Sequence, residues 1–157
     1  MVGDLLSCLL AQTQPTVSSA IEQWAMQWKI HPVLVNFTAA LIPVSVFSDL
    51  AARLFRVASL RIVGWWTMLF AAVITPFTVV AGWLFWMPDD NGAPGMTIHK
   101  WLGTGLAFVF LGLLAWRARL QAKDRAVTWL YFLIALAAVA ALVYQGTLGG
   151  NQVFSDM

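Results

Sequence analysis

Apolar residues fill four long stretches of the chain, and short polar segments separate them. The stretches cover about residues 32–54, 62–87, 98–116 and 126–148. A helix that crosses the hydrocarbon core of a bilayer needs about 20 mostly apolar residues, and each stretch is about that long. The pattern predicts an all-α integral membrane protein, built as an up-down bundle of four transmembrane helices. Pro43 and Pro76 lie inside the first two stretches, where we expect them to kink the helices.

The composition agrees with a membrane protein. Hydrophobic residues make up 61% of the chain and charged residues 10%, whereas a soluble domain is about 25% charged. The basic residues lie in short loops rather than along a groove, so nucleic-acid binding is not expected. The single cysteine, Cys8, excludes a disulfide within the chain. The stretch LLSC around Cys8 weakly resembles a lipoprotein cleavage box, and a short unprocessed apolar tail is the alternative.

Basic residues concentrate in two of the predicted loops. The loops that follow the first and third helices hold most of the lysines and arginines: Arg53, Arg56, Arg61, Arg117, Arg119, Lys123 and Arg125. The positive-inside rule places these loops in the cytoplasm. It therefore predicts a multi-pass protein of the bacterial inner membrane with both termini outside, on the periplasmic side.

A short amphipathic segment precedes the first apolar stretch. Over residues 17–29, Ile21, Trp24, Ala25 and Trp28 fall at helical spacing on one face, which predicts a short N-terminal interfacial helix. The chain is therefore expected to divide into a periplasmic or interfacial segment, a four-helix transmembrane domain and a short C-terminal tail, at residues 1–29, 30–150 and 151–157.

Two histidines, His31 and His99, open the first and third apolar stretches. Both helices are expected to start on the outer face, and the first and third helices of such a bundle usually lie diagonally. Two histidines across a bundle can ligate one haem iron, so haem b is a candidate cofactor with His31 and His99 as its axial ligands. The alternatives are two structural helix-end residues, a proton-transfer role or contact with a quinone.

Few other polar residues lie inside the predicted spans. Asn36 is the candidate for a polar residue in the bundle interior, where an amide normally bonds a neighbouring helix. Asp49 lies near the other end of the first helix and has Arg53, four residues on, as its expected partner. Cys-x-x-Cys, His-Glu-x-x-His and phosphate-loop motifs are absent from the sequence. Two histidines cannot complete a closed zinc site, which needs four ligands, and no catalytic residue is indicated.

Short motifs at the ends of the predicted helices carry a resemblance to a known family. They are HPVLVNF with His31, Pro32 and Phe37, HKWLG with His99, Leu102 and Gly103, and LGGNQVF with Gly149 and Gly150. Over about residues 30–154 the chain resembles the bacterial four-helix membrane proteins called domain of unknown function 2231. Those proteins carry two further histidines, one where this chain has Asn36 and one after the fourth helix. The resemblance implies the fold and leaves this chain with half of the family's histidines.

Three hypotheses for function follow from these observations. The first is a non-catalytic accessory subunit of a larger membrane electron-transfer complex, with the lipid bilayer and other membrane subunits as partners. The second is an electron carrier that holds one haem b between His31 and His99. The third is a small permease or a metal-handling membrane protein, and the scarcity of buried charge argues against a permease.

Overall fold

The apolar stretches form four long helices in a computed structural model, which describes residues 20–21, 23–24, 27–84 and 95–154. The helices are α1 Ile30–Phe55, α2 Ala58–Leu84, α3 Met96–Ala122 and α4 Trp129–Phe154. All four are long and apolar enough to cross a membrane. No strand occurs in the described ranges, so the prediction of an all-α chain with four helices long and apolar enough to span a membrane is confirmed for this part of the chain.

Several sequence predictions fall outside the described residues. Cys8 and the end of the C-terminal tail lie there, together with much of the segment at residues 17–29. The interfacial helix and the division of the chain into three segments therefore stay predictions. Pro43 and Pro76 lie inside helices that continue through them, as membrane helices tolerate when their neighbours satisfy the freed backbone groups.

The helices pack in a ring in which each contacts its neighbours in chain order. Helix α2 lies between α1 and α3, and α4 packs against α3 and returns to α1. Helices α1 and α3 therefore face each other diagonally, as the short loops predicted. The core between them is apolar and includes Ile42, Val46, Met68, Phe110 and Phe132.

The two halves of the bundle repeat each other. Buried positions of α1 recur in α3 at an offset of 68 residues: Thr38 and Leu106, Ile42 and Phe110, Ser45 and Leu113, Asp49 and Arg117. Buried positions of α2 recur in α4 at an offset of 67 residues: Gly64 and Tyr131, Met68 and Ala135, Ala71 and Ala138, Thr75 and Leu142, Thr78 and Gln145. The α1–α2 and α3–α4 hairpins are thus structural repeats that run in the same direction, and equivalent residues lie at the same depth.

A buried ion pair joins the two halves near the end where both hairpins turn. Arg117 Nη2 donates to Asp49 Oδ1 at 2.6 Å and to the carbonyl oxygen of Arg61 at 2.8 Å. The expected partner of Asp49 was Arg53, and this expectation is wrong. Arg53 is exposed and donates to the carbonyl oxygen of Val127 in the connection before α4. Asp49 instead lies on the buried face of α1, together with Thr38, Ile42 and Ser45, and its side chain contacts α3.

A glycine on α2 makes room for the carboxylate of this ion pair. A Cβ atom at Gly64 would collide with the side chain of Asp49. The hydroxyl of Ser45, one turn before Asp49, donates to the carbonyl oxygen of Gly64 at 2.7 Å. Helices α1 and α2 therefore approach closely at the depth of the ion pair.

Removing one member of the ion pair should cost far more stability than replacing both. Asp49→Leu leaves the Arg117 cation buried without its carboxylate, which should lower the free energy of unfolding by about 3–5 kcal/mol. The double variant Asp49→Leu with Arg117→Met places apolar side chains at both positions and should recover most of that loss. Unfolding in detergent micelles, followed by circular dichroism, measures both variants.

Arg119→Met serves as the control, because Arg119 is exposed on the same helix as Arg117. It should change the free energy of unfolding by no more than about 0.5 kcal/mol. A double variant that is no more stable than Asp49→Leu would contradict the prediction.

Candidate functional site

His31 and His99 come together at one end of the bundle. This end, which we call the histidine end, consists of the starts of α1 and α3 and the last turns of α2 and α4. The imidazole ring centroids lie 6.3 Å apart, with an angle of 82° between the ring planes. Both side chains are half-buried. The diagonal arrangement of α1 and α3 thus brings the two histidines of the sequence to one place.

Each imidazole is anchored to a backbone carbonyl of the helix that follows it in the chain. His31 Nδ1 lies 2.9 Å from the carbonyl oxygen of Thr78, and His99 Nδ1 lies 2.9 Å from that of Gln145. A carbonyl oxygen can only accept, so each Nδ1 carries a proton and donates it. In a neutral imidazole of this tautomer, Nε2 bears the lone pair. Thr78 and Gln145 are equivalent in the two repeats, so both rings are oriented in the same way.

A glycine one turn further along the helix lies against each ring. A Cβ atom at Gly82 would lie 2.8 Å from His31 Cε1, and one at Gly149 would lie 2.7 Å from His99 Cε1. Both distances are shorter than van der Waals contact. Any larger residue at these two positions would push the ring away from its carbonyl partner.

Gln145 contacts both ring nitrogens of His99. Its carbonyl oxygen accepts from Nδ1, and its amide Nε2 lies 3.2 Å from His99 Nε2 and donates to the lone pair there. Gly103 of α3 leaves space for this amide, because a Cβ atom there would lie 3.1 Å from it. Thr78, in the equivalent position, has a shorter side chain whose hydroxyl donates to the carbonyl oxygen of Ile74 in its own helix. The two histidines therefore share a backbone anchor and differ in their side-chain surroundings.

A small cavity lies beside the two histidines. Its volume is about 50 Å³, and its walls include Met96, Gln145 and the hydroxyl-bearing Thr38 and Thr75. The Thr38 and Thr75 hydroxyl oxygens are 3.2 Å apart across the α1–α2 interface. A buried water needs about 10–15 Å³ of such space, so the cavity has room for an ion or a few waters.

Aromatic and cationic side chains border the cavity. Trp83 packs edge-on against Trp101 with ring centroids 5.5 Å apart, and its Nε1 donates to Thr104 Oγ1 at 3.1 Å. Lys100 Nζ lies 5.4 Å from the centroid of the Trp83 ring. Amphipathic aromatic rings are typical of the level where a membrane protein meets the lipid headgroups.

Asn36 does not belong to this site. It was the candidate for a polar residue in the bundle interior, but its side chain is exposed. The reason is helical phase: Asn36 precedes the buried Thr38 by two residues, and two residues turn an α-helix by about 200°. Among the described residues, no group of three or more His, Cys, Asp or Glu side chains could hold a metal ion.

Two contributors to the site were absent from the sequence predictions. One is the Gln145 side chain, and the other is the Thr78 carbonyl that anchors His31. Both contributors could have been found from the offset of 67 residues between α2 and α4, because it makes Thr78 and Gln145 equivalent positions. A single amide in an apolar helix is also a polar group that needs a partner.

The fold and the histidine end together define a polytopic membrane protein with a four-helix bundle. A family model described as a predicted membrane protein, DUF2231, matches residues 27–157. The chain belongs to this family, which confirms the resemblance that the sequence motifs indicated. No curated protein and no solved structure matches the chain.

Adding a methyl group at Gly149 should disturb the anchoring of His99. Gly149→Ala places its Cβ within contact distance of the imidazole, so the ring must leave the Gln145 carbonyl. We expect the free energy of unfolding to fall by about 1–3 kcal/mol, as for other overpacked sites. Thermal or denaturant unfolding of the purified protein in detergent measures the change.

Gly146→Ala on the same helix is the matched control, because a Cβ built there has no atom of another helix and no side chain beyond its chain neighbours within 4 Å. Alanine favours a helix over glycine by up to about 1 kcal/mol, so this variant should be unchanged or slightly more stable. Equal effects of the two substitutions would show that crowding of His99 is not the cause.

Proposed function

We propose that this protein is a metal-handling membrane protein that holds one late transition-metal ion between His31 and His99. Copper(I) is the ion that the ligand set favours. The observation that carries the proposal is the spacing of the two imidazole rings, each held by a backbone hydrogen bond.

The ring spacing matches that of two imidazoles on one metal ion. With metal–nitrogen bonds of about 2.0 Å, two imidazoles on opposite sides of an ion have ring centroids about 6.2 Å apart. The centroids of His31 and His99 are 6.3 Å apart. Metal-binding histidines almost always donate their other ring N–H to a carbonyl, a carboxylate or water, and both histidines donate Nδ1–H to a carbonyl here. Binding would require the Gln145 amide to leave His99 Nε2.

The available ligands favour copper(I) over zinc. Structural zinc sites use four protein ligands, whereas two imidazoles are the nitrogen ligands on these walls. Met96 is buried and lines the same cavity, and a thioether together with imidazoles selects copper. Copper(I) also accepts fewer ligands than zinc does. A site with few protein ligands suits an ion that is passed on rather than stored.

Haem b between the same histidines is the alternative that the structure supports less well. The cavity of about 50 Å³ has room for an ion and not for a porphyrin. The helices would have to separate before a haem could enter. An absorption spectrum of the same preparation distinguishes the two ligands.

Membership of a larger electron-transfer complex stays a prediction from the sequence, and so does the placement of both termini outside the inner membrane. Neither conflicts with a metal ion at the histidine end. Identifying the proteins that co-purify with the chain in mild detergent tests its membership of a complex. The placement of the termini is tested by labelling intact cells with an impermeant reagent and measuring whether residues at the histidine end react.

We expect one copper(I) ion per chain in an anaerobic titration of the purified protein against a competing chelator. His31→Ala and His99→Ala should each weaken binding by about 100-fold or more, because each removes one of two imidazole ligands. Affinity should also fall as the pH falls, since protons compete with the metal for imidazole. Asn36→Ala, at the same end of α1 but on its exposed side, is the control and should bind as the unchanged protein does.

Two outcomes would overturn the proposal. A Soret band that is lost in either histidine variant would identify haem as the ligand. A folded protein that binds no copper, or that binds it equally well in His31→Ala and His99→Ala, would leave the histidines with a structural role.

A further inference from the structure

A basic cleft opens at the end of the bundle opposite the histidines, where both hairpins turn. We call it the arginine cleft. It lies between the end of α1 and the start of α4, has a volume of about 550 Å³, and is lined by Arg53, Arg56, Arg61, Val127 and Trp129. It shares no lining residue with the cavity at the histidine end. An inference about it is therefore independent of the proposed metal site.

The charge balance of the arginine cleft favours an anion. Three arginines line it together with one acid, Asp49, whose carboxylate is bonded to Arg117. Helices α2 and α4 begin at residues that also line the cleft, Ala58 and Trp129. Helix N-termini carry unsatisfied N–H groups and a partial positive charge. The C-terminus of α1, with its partial negative charge, also borders the cleft, and the Tyr131 N–H at the start of α4 already donates to Thr128 Oγ1. The excess of guanidinium groups is therefore what favours an anion.

One of the guanidinium groups is already fixed in place. Arg53 Nη1 donates to the carbonyl oxygen of Val127 at 2.9 Å, and its guanidinium carbon lies 4.8 Å from the centroid of the Trp129 ring. These contacts hold Arg53 against the start of α4. A mobile arginine at a protein surface loses side-chain entropy when it binds a ligand. Because Arg53 is already held in place, this entropic cost of binding an anion is smaller in the cleft.

We propose that the arginine cleft binds the phosphate group of an anionic phospholipid. Basic pockets between transmembrane helices bind such headgroups, and guanidinium groups match phosphate oxygens in charge and geometry. The surroundings favour a lipid over a free phosphate, because large apolar side chains at the rim of the cleft are exposed. The exposed fraction is 57% for Leu54, 73% for Phe55 and 58% for Trp129. An acyl chain can lie along these side chains while the headgroup enters the cleft.

The test is lipid binding by the full chain, purified in neutral detergent and measured by native mass spectrometry. The probes are phosphatidylglycerol, phosphatidylcholine and inorganic phosphate. We expect phosphatidylglycerol to bind at least about tenfold more tightly than phosphatidylcholine. Arg56→Asn combined with Arg61→Gln should weaken phosphatidylglycerol binding by about 30-fold, given the usual contribution of each basic residue near an anionic lipid. Asparagine suits position 56, where φ is 58°.

The control is Arg119→Gln combined with Arg125→Gln. Both residues are exposed at the same end of the bundle as the arginine cleft, neither lines that cleft, and the double variant removes the same net charge. It should keep most of the affinity for phosphatidylglycerol. Equal losses in the two double variants would show general charge attraction and overturn the proposal, as would equal affinity for the two lipids. Inorganic phosphate that binds as tightly as the lipid would identify a soluble anion as the ligand instead.

Discussion

Polar side chains inside this bundle that do not bond their own helix have to find partners on other helices, because the hydrocarbon core of a membrane offers none. Two groups of such contacts, one near each end, govern the arrangement. Near one end, Asp49 of α1 bonds Arg117 of α3. At the other, His31 and His99 bond carbonyl groups of α2 and α4. Glycines lie where these side chains reach a neighbouring helix, at Gly64 for the carboxylate and at Gly82 and Gly149 for the imidazoles.

The repeat of the two hairpins explains why these partners meet. Equivalent residues of the two halves lie at the same depth, so a residue of α1 can meet its counterpart on α3 across the bundle. Two identical charges in that position would repel each other, and the chain has Asp49 opposite Arg117 instead. Two neutral imidazoles can face each other without such a cost, and the chain has histidine at both positions. The departure from symmetry at Asp49 and Arg117 thus lies where a symmetric pair of charges would be unfavourable.

The sequence was a good guide to the helices because length and hydrophobicity decide which segments can span a bilayer. It was a poorer guide to which side of each helix faces inward. Apolar residues surround each helix, since lipid and core are both apolar, and the usual polar face that reveals helical phase is missing. This is why Asn36 was placed in the interior and why Asp49 was paired with Arg53 on its own helix. The diagonal arrangement of α1 and α3 was enough to predict that His31 and His99 come together. The contacts of Gln145 could not be predicted in this way, because they depend on packing between distant parts of the chain.

The charges near the histidines bear on which metal ion the proposed site would accept. Lys100 lines the same cavity and adds a positive charge, whereas the N-termini of α1 and α3 and the C-termini of α2 and α4 meet at this end with opposite partial charges. The imidazoles are neutral ligands, and no described carboxylate joins them to form a metal-binding group. A divalent ion would bring two uncompensated charges into an apolar cavity, where burial of unpaired charge is costly. A monovalent ion brings one, and neutral nitrogen and sulfur ligands bind it well. The electrostatics of the histidine end therefore disfavour copper(I) less than zinc at the proposed site.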